Sequence, residues 1–224
     1  MLEINKIHCG DCLELMKEIE SNSIDCIITD PPYGIDKDRI GESIIGDEDL
    51  EVYYSMLKEA NRVLKEDSWF ITFSSIRNIN NMFKNNPFKF EWLVYIYYRN
   101  MQRIRHIPIG RSKCDAVLLF KKGNPKRNYA IWDIQEIVYN NKINQQLKER
   151  LHPTAKIPES LFNFIRLGCK KDGIVLDPFV GSGTTAIACK RTNRRFIGIE
   201  ISKEYCKIAN KRLEQETLLS VQKG

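Results

Sequence analysis

Apolar positions along the chain follow two rhythms, a continuous one in short runs and a helical one in longer stretches. The clearest short run is Ile24 to Thr29, apolar and β-branched, which predicts a strand buried on both faces. Ahead of it Cys12 to Ile19 reads as a short helix, with Ser21, Asn22 and Ser23 as the turn between them. Asp30-Pro31-Pro32-Tyr33 ends the strand, because a proline cannot donate to the ladder and two in succession force an extended turn. Gly34 to Asp49 is polar and reads as a long loop. From Leu50 to Leu64 the apolar positions Leu50, Tyr53, Tyr54, Leu57, Ala60, Val63 and Leu64 recur with helical period.

Trp69 to Phe73 is then a strand, and Asn78 to Asn85 a further helix that stops before Pro87. Two aromatic-rich strands, Phe90 to Tyr98 and Ala116 to Phe120, flank the basic segment Arg99 to Lys113. Lys121 to Leu151 is polar and Asn-rich with Trp132 and Ile134 as apolar anchors, and reads as an irregular insertion. The last part alternates: helix from Pro158 to Cys169, strand from Gly173 to Asp177, helix from Thr184 to Lys190, strand from Arg195 to Glu200, and helix from Ser202 to Glu216.

Strands alternating with helices predict an α/β fold, a mostly parallel sheet with helices on both faces. Only one strand follows the glycine-rich turn after Asp177, so the N-terminal strands must complete the sheet and lie beside the C-terminal unit. At 224 residues this is one domain, 1–224, with 99–151 as a short basic insertion. The 42% hydrophobic content can fill a core and excludes wholesale disorder. A formal charge of +6 only hints at a polyanionic partner, so its placement has to decide. No run approaches the roughly 18 apolar residues of a membrane span, and the N-terminus lacks a basic region followed by an apolar run. A cytoplasmic protein is expected. Seven scattered cysteines read as reduced thiols; Cys9 and Cys12 lack a second pair at zinc spacing, with His8 beside them as a solvated loop residue, so no metal is expected.

Candidate chemistry enters with Asp177-Pro178-Phe179-Val180-Gly181-Ser182-Gly183-Thr184-Thr185. Glycines at a strand-to-helix turn let the backbone approach a ligand, and the helix start offers N–H groups to an anion. A Walker loop is excluded, because Thr184 stands where its lysine belongs. Glu200 ends the next strand nineteen residues after Gly181, where a carboxylate can accept both ribose hydroxyls. An adenosine-containing cofactor is indicated.

At the other motif, Asp30 and the Pro31 carbonyl present two acceptors with Tyr33 as an aromatic ring, at the carboxyl end of a parallel strand. An exocyclic amino group has its lone pair delocalised into its ring and is a poor nucleophile. Two acceptors could hold its hydrogens and direct the lone pair at an electrophile while Tyr33 stacks on the base.

With GDCLELM (Gly10 to Met16), SIDCIITDPPYG (Ser23 to Gly34), HPTAKIP (His152 to Pro158), DPFVGSGTT (Asp177 to Thr185) and GIE followed by Tyr205, the chain resembles the amino-methylating DNA methyltransferases. It is similar to their β class, in which D-P-P-Y precedes F-x-G-x-G. The resemblance spans nearly the whole chain. It implies a Rossmann-like methyltransferase sheet with the cofactor motif C-terminal to the catalytic motif, and S-adenosylmethionine as cofactor. Asp30, Pro31, Pro32 and Tyr33 would then be catalytic. Asp177, Phe179, Gly181 and Gly183 would shape the cofactor pocket, Thr184 and Thr185 would lie near the methionine carboxylate with Lys156 helping, and Glu200 would hold the ribose. Asp11 and the Cys12 backbone would read the cofactor's adenine, with His152 of undecided role. D-P-P-Y is usual in N6-adenine enzymes and S-P-P-Y in N4-cytosine ones, so N6-adenine is expected and N4-cytosine is the alternative. The target base would have to be flipped out of the duplex.

The charge placement fits a DNA partner: Arg99, Arg103, Arg105, His106, Arg111 and Lys113 cluster between two strands. Target recognition is expected from 99–151, short for an independent recognition domain, which suggests a brief site or help from a homodimer partner. A cognate restriction enzyme would fit the family. The rival readings are an NAD(P)-dependent oxidoreductase, which leaves D-P-P-Y unexplained, and a non-catalytic nucleic-acid-binding module, which needs no cofactor loop.

Overall fold

The computed structural model describes residues 2–32, 50–74, 76–98, 114–127, 137–139 and 158–221. Its frame is an eight-stranded sheet in the order β1-β8-β7-β2-β3-β5-β4-β6. The strands are β1 (Lys6–Cys9), β2 (Ile24–Thr29), β3 (Leu64–Ser74), β4 (Lys89–Tyr98), β5 (Cys114–Lys122), β6 (Ile137–Tyr139), β7 (Ile174–Asp177) and β8 (Arg195–Glu200). All neighbours pair in parallel except β5, which runs antiparallel to both β3 and β4. The central strands are mostly apolar because helices cover both faces, with Asp25 in β2 and Lys65, Glu66 and Asp67 at the start of β3 as polar exceptions.

Helices α1 (Cys12–Leu15) and α2 (Glu51–Val63) lie on one face. Tyr53, Met56, Leu57, Ala60 and Val63 of α2 are buried with Ile27, Phe70 and Leu118 of the sheet. Helices α3 (Phe162–Gly168), α4 (Thr184–Arg191) and α5 (Lys203–Val221) cover the other. There Phe164, Ile165, Leu167, Ala188 and Ala209 pack with Ile28, Ile71, Val117 and Val175. The expected α/β layering is the one observed, and β7 of the C-terminal unit does pair with β2 of the N-terminal part.

Five local expectations change. Residues 6–9 form β1, an edge strand whose one deeply buried side chain is Ile7, too faint a pattern to read; His8 is therefore part of a strand, its ring Nε2 2.9 Å from the Glu3 carbonyl. The helix expected over Cys12 to Ile19 is a single α-turn followed by a 3₁₀ turn, Met16–Glu18. Strand β3 begins at Leu64 rather than Trp69, because Lys65 reaches Asp25 of the neighbouring strand at 2.8 Å and so hides strand behind polar residues. The segment Ile76–Phe83 is a 3₁₀ helix, in keeping with asparagines that compete for backbone partners. Part of the expected insertion also belongs to the main sheet, since β6 extends it beside β4.

Among the described residues no helix is long and apolar enough to cross a membrane. Six cysteines among the described residues, Cys9, Cys12, Cys26, Cys169, Cys189 and Cys206, are free thiols, and burial pushes the Cys12 thiol up to about 12.

Candidate active site

Four adjacent parallel strands, β1, β8, β7 and β2, bring their carboxyl ends to one edge of the sheet. Asp11 follows β1, Glu200 ends β8, the glycine loop follows β7, and Asp30-Pro31 follows β2. The chain leaves β7 through α4 toward β8 and leaves β2 through α2 toward β3, on opposite faces and in opposite directions. That reversal opens a crevice between β7 and β2, the place where open α/β sheets bind their ligands.

The glycine loop is built from both sides. Gly183 has φ +85°, and a Cβ there would meet the Ala209 Cβ at 2.9 Å, so only glycine lets α5 pack this closely. Gly181 has φ +53°, and a Cβ there would stand in open space, which leaves the cradle a ligand would fill. The Gly181 N–H donates to Glu200 Oε2 at 2.9 Å, and the Ser202 N–H to Glu200 Oε1 at 2.8 Å. The Ile201 amide also hydrogen-bonds the carboxylate, so Glu200 is firmly oriented and still keeps an acceptor site for a ligand. It is 8% exposed, and burial raises its carboxyl above the usual range. An adenosine-type group fits this donor and acceptor set.

Arg212 of α5, which the motifs did not single out, donates to the Ser182 carbonyl at 2.6 Å and to Ser182 Oγ at 3.0 Å, bracing the loop from behind. A basic residue on the helix stripe that includes Cys206, Ala209 and Leu213 was the available signal.

Asp177 is 4% exposed and joins several segments. Its Oδ1 accepts from Thr29 Oγ1 at 2.9 Å and from the Phe179 N–H at 3.1 Å, and the Thr185 side chain also hydrogen-bonds the carboxyl. Burial pushes this carboxyl up to about 6. A raised carboxyl binds its proton more tightly folded than unfolded, so its contribution is complete below the unfolded value of 3.8 and is lost as pH rises through about 6. Asp25, Glu91 and Glu216 act in the opposite sense, because ion pairing lowers them. Asp177→Asn cancels those shared contributions. The wild type is expected to gain on the order of 2 kcal/mol over that variant between about pH 7 and about pH 4, read from urea unfolding at both pH values. A constant difference would refute it.

Thr184 and Thr185 start α4 and are buried, and Phe179 is half-buried. Asp11 caps α1, its Oδ1 accepting from the Leu13 N–H at 2.8 Å, while Cys12 is buried at the first turn. Pro31 is buried, Asp30 and Pro32 half-buried, and Oδ1 of Asp30 is shielded from solvent. The sheet edge thus brings Asp30, Pro31, Asp177, the glycine loop, Glu200 and Asp11 together. Tyr33, Lys156, His152 and the basic residues Arg99, Arg103, Arg105, Arg111 and Lys113 lie outside the described residues.

Known proteins resemble this chain in sequence and in fold. The type II methyltransferase M.HpaI of Haemophilus parainfluenzae is 32% identical over 94% of this chain and 74% of its own length. The DNA adenine methyltransferase YhdJ of Escherichia coli (strain K12) is 30% identical over 95% of this chain and 83% of its own. In structure, the M1.HpyAVI–SAM complex superimposes with a TM-score of 0.72 at 26% identity, covering 93% of this chain and 98% of that one. The cytosine-N4-specific PvuII DNA methyltransferase shares the fold, with a TM-score of 0.70 at 23% identity over 91% of this chain and 84% of its own. Residues 24–211, from the start of β2 into α5, match the N6/N4 methylase family, described as DNA methylases. The chain therefore belongs to the N6/N4 DNA methylase family.

Proposed function

We propose that the protein transfers the methyl group of S-adenosylmethionine to the N6 amino group of adenine, at a base flipped out of DNA. The observation that carries this reading is the crevice between β7 and β2, where Asp30 and the glycine loop start from neighbouring parallel strands. When bound, S-adenosylmethionine supplies a methyl group already activated on a sulfonium. Glu200 holds the ribose, the Gly181 cradle takes the cofactor against the loop, and Thr184, Thr185 and Lys156 serve its carboxylate. Asp11 and the Cys12 backbone read its adenine.

Asp30 and the Pro31 carbonyl accept the two amino hydrogens of the target base, and Tyr33 stacks on its ring. Alignment of acceptor and donor is then most of the work. Asp30 acts as an acceptor rather than a strong base, since an aromatic amine sheds its proton readily only after methylation. Aspartate at the head of D-P-P-Y, together with the adenine-named relative, supports N6-adenine over N4-cytosine. Arg99, Arg103, Arg105, Arg111 and Lys113 neutralise backbone phosphates in this reading, giving affinity and register more than sequence choice. The relatives named type II methyltransferases support a DNA-modifying enzyme in a restriction-modification context.

The test is incubation with labelled S-adenosylmethionine and unmethylated genomic DNA, then digestion to nucleosides and mass spectrometry. N6-methyladenine is the expected product, absent with Asp30→Ala. N4-methylcytosine would overturn the base, and no methylated nucleoside would overturn DNA as substrate.

A further inference from the structure

We infer that Thr29 is a positioning residue, which holds the amino-acceptor motif in register with the cofactor loop through a shared oxygen of Asp177. The inference rests on the methyl-transfer reading above. Thr29 is 1% exposed and ends a strand otherwise apolar except for Asp25, so valine would fill the same volume without a hydroxyl to satisfy. Among the described residues the hydroxyl donates to Asp177 Oδ1 at 2.9 Å. The same oxygen receives the Phe179 N–H at 3.1 Å, so a single atom links the residue before Asp30 to the entrance of the glycine loop.

The location makes that link matter. Backbone pairing between β2 and β7 covers Cys26 with Val175 and Ile27 with Leu176, and β7 continues at Asp177 paired only with Gly198 of β8. Where the ladder between β2 and β7 stops, the Thr29 hydroxyl carries the seam onward to the mouth of the crevice. Thr185 holds the Asp177 carboxyl from α4, so the two motifs and the helix behind the loop share one fixed point. In-line transfer is sensitive to misplacement of either partner, and this contact sits between the segments that carry them.

Thr29→Val and Thr29→Ser in the full chain test it, with two readouts. The first needs no cofactor: hydrogen exchange at the Phe179 amide. The second separates S-adenosylmethionine affinity from single-turnover transfer rate per cofactor-binding site. For Thr29→Val, exchange at Phe179 is expected to quicken about tenfold and the transfer rate to fall about tenfold, with cofactor Kd within about threefold. Thr29→Ser, which keeps the donor, is expected within about twofold of wild type in all three. Should the valine variant not fold, Thr29→Ala is measured against Thr29→Ser in its place. Unchanged exchange and rate, equal damage from serine, or a loss wholly in Kd would each overturn the role. Failure of the wild type to methylate DNA would instead overturn the proposed function, and the exchange measurement would still decide the joint.

Discussion

Replacing Asp30 with alanine is expected to lower single-turnover methyl transfer about 10³-fold, with S-adenosylmethionine affinity within about threefold of wild type. The amino group must be made a better nucleophile just as its nitrogen rehybridises toward the incoming methyl. Positive charge then develops on that nitrogen, and an acceptor fixed beside its hydrogens is worth more in that state than in the bound substrate. Asp30 is placed for this by the fold: it follows β2 directly, with Pro31 buried behind it and one of its oxygens shielded from solvent. In the proposed reading the cofactor is held by another part of the edge, by Glu200 and the loop after β7, so binding should survive the substitution. Asp30→Asn keeps the shape and one acceptor oxygen but loses the charge that meets the positive charge developing on the nitrogen, and should recover only part of the rate. A rate loss below about tenfold would mean that the Pro31 carbonyl and base stacking suffice, and would remove Asp30 from the chemistry.

Why the motifs were readable and their connections were not follows from how each is specified. Strands β2, β7 and β8 are buried on both faces, so their sequences are continuous apolar runs, and α2 shows one clean stripe because one face meets the sheet. Glycine loop, acid and D-P-P-Y stand at the ends of those runs, where the sheet edge gives them a common direction. Strand β1 buries chiefly Ile7 and pairs only with β8, and β6 is a three-residue edge, so neither leaves a periodic trace. The bond from Thr29 to Asp177 spans 148 residues, and Arg212 reaches Ser182 across 30. Such pairs depend on which strands become neighbours, and a single sequence carries that information only through the topology argument that set the N-terminal strands beside the C-terminal unit.

Glu200→Gln is expected to weaken S-adenosylmethionine binding about 100-fold, a loss in keeping with charge-assisted hydrogen bonds replaced by a mismatched contact. The carboxylate accepts the Gly181 amide on one oxygen and the Ser202 amide on the other, with the Ile201 amide adding to them. Glutamine has a single oxygen, so either way round its amide nitrogen faces a backbone N–H. One of the two ties must break, and if it is the Gly181 tie the cradle loses its anchor at the residue whose open side receives the ligand. In the proposed reading the ribose loses a charged acceptor at the same time. Glu200→Asp keeps the charge but is one methylene short of both amides, and should bind weakly too. Burial raises the Glu200 carboxyl, so the charged form is given up more readily on acidification, and from neutral to mildly acidic pH wild-type affinity should fall more steeply than that of the glutamine variant. Titration calorimetry at neutral and at mildly acidic pH separates the possibilities. If the glutamine variant binds within about threefold of wild type, the Glu200 oxygens serve only to hold the loop, and the affinity resides in the shape of the turn itself.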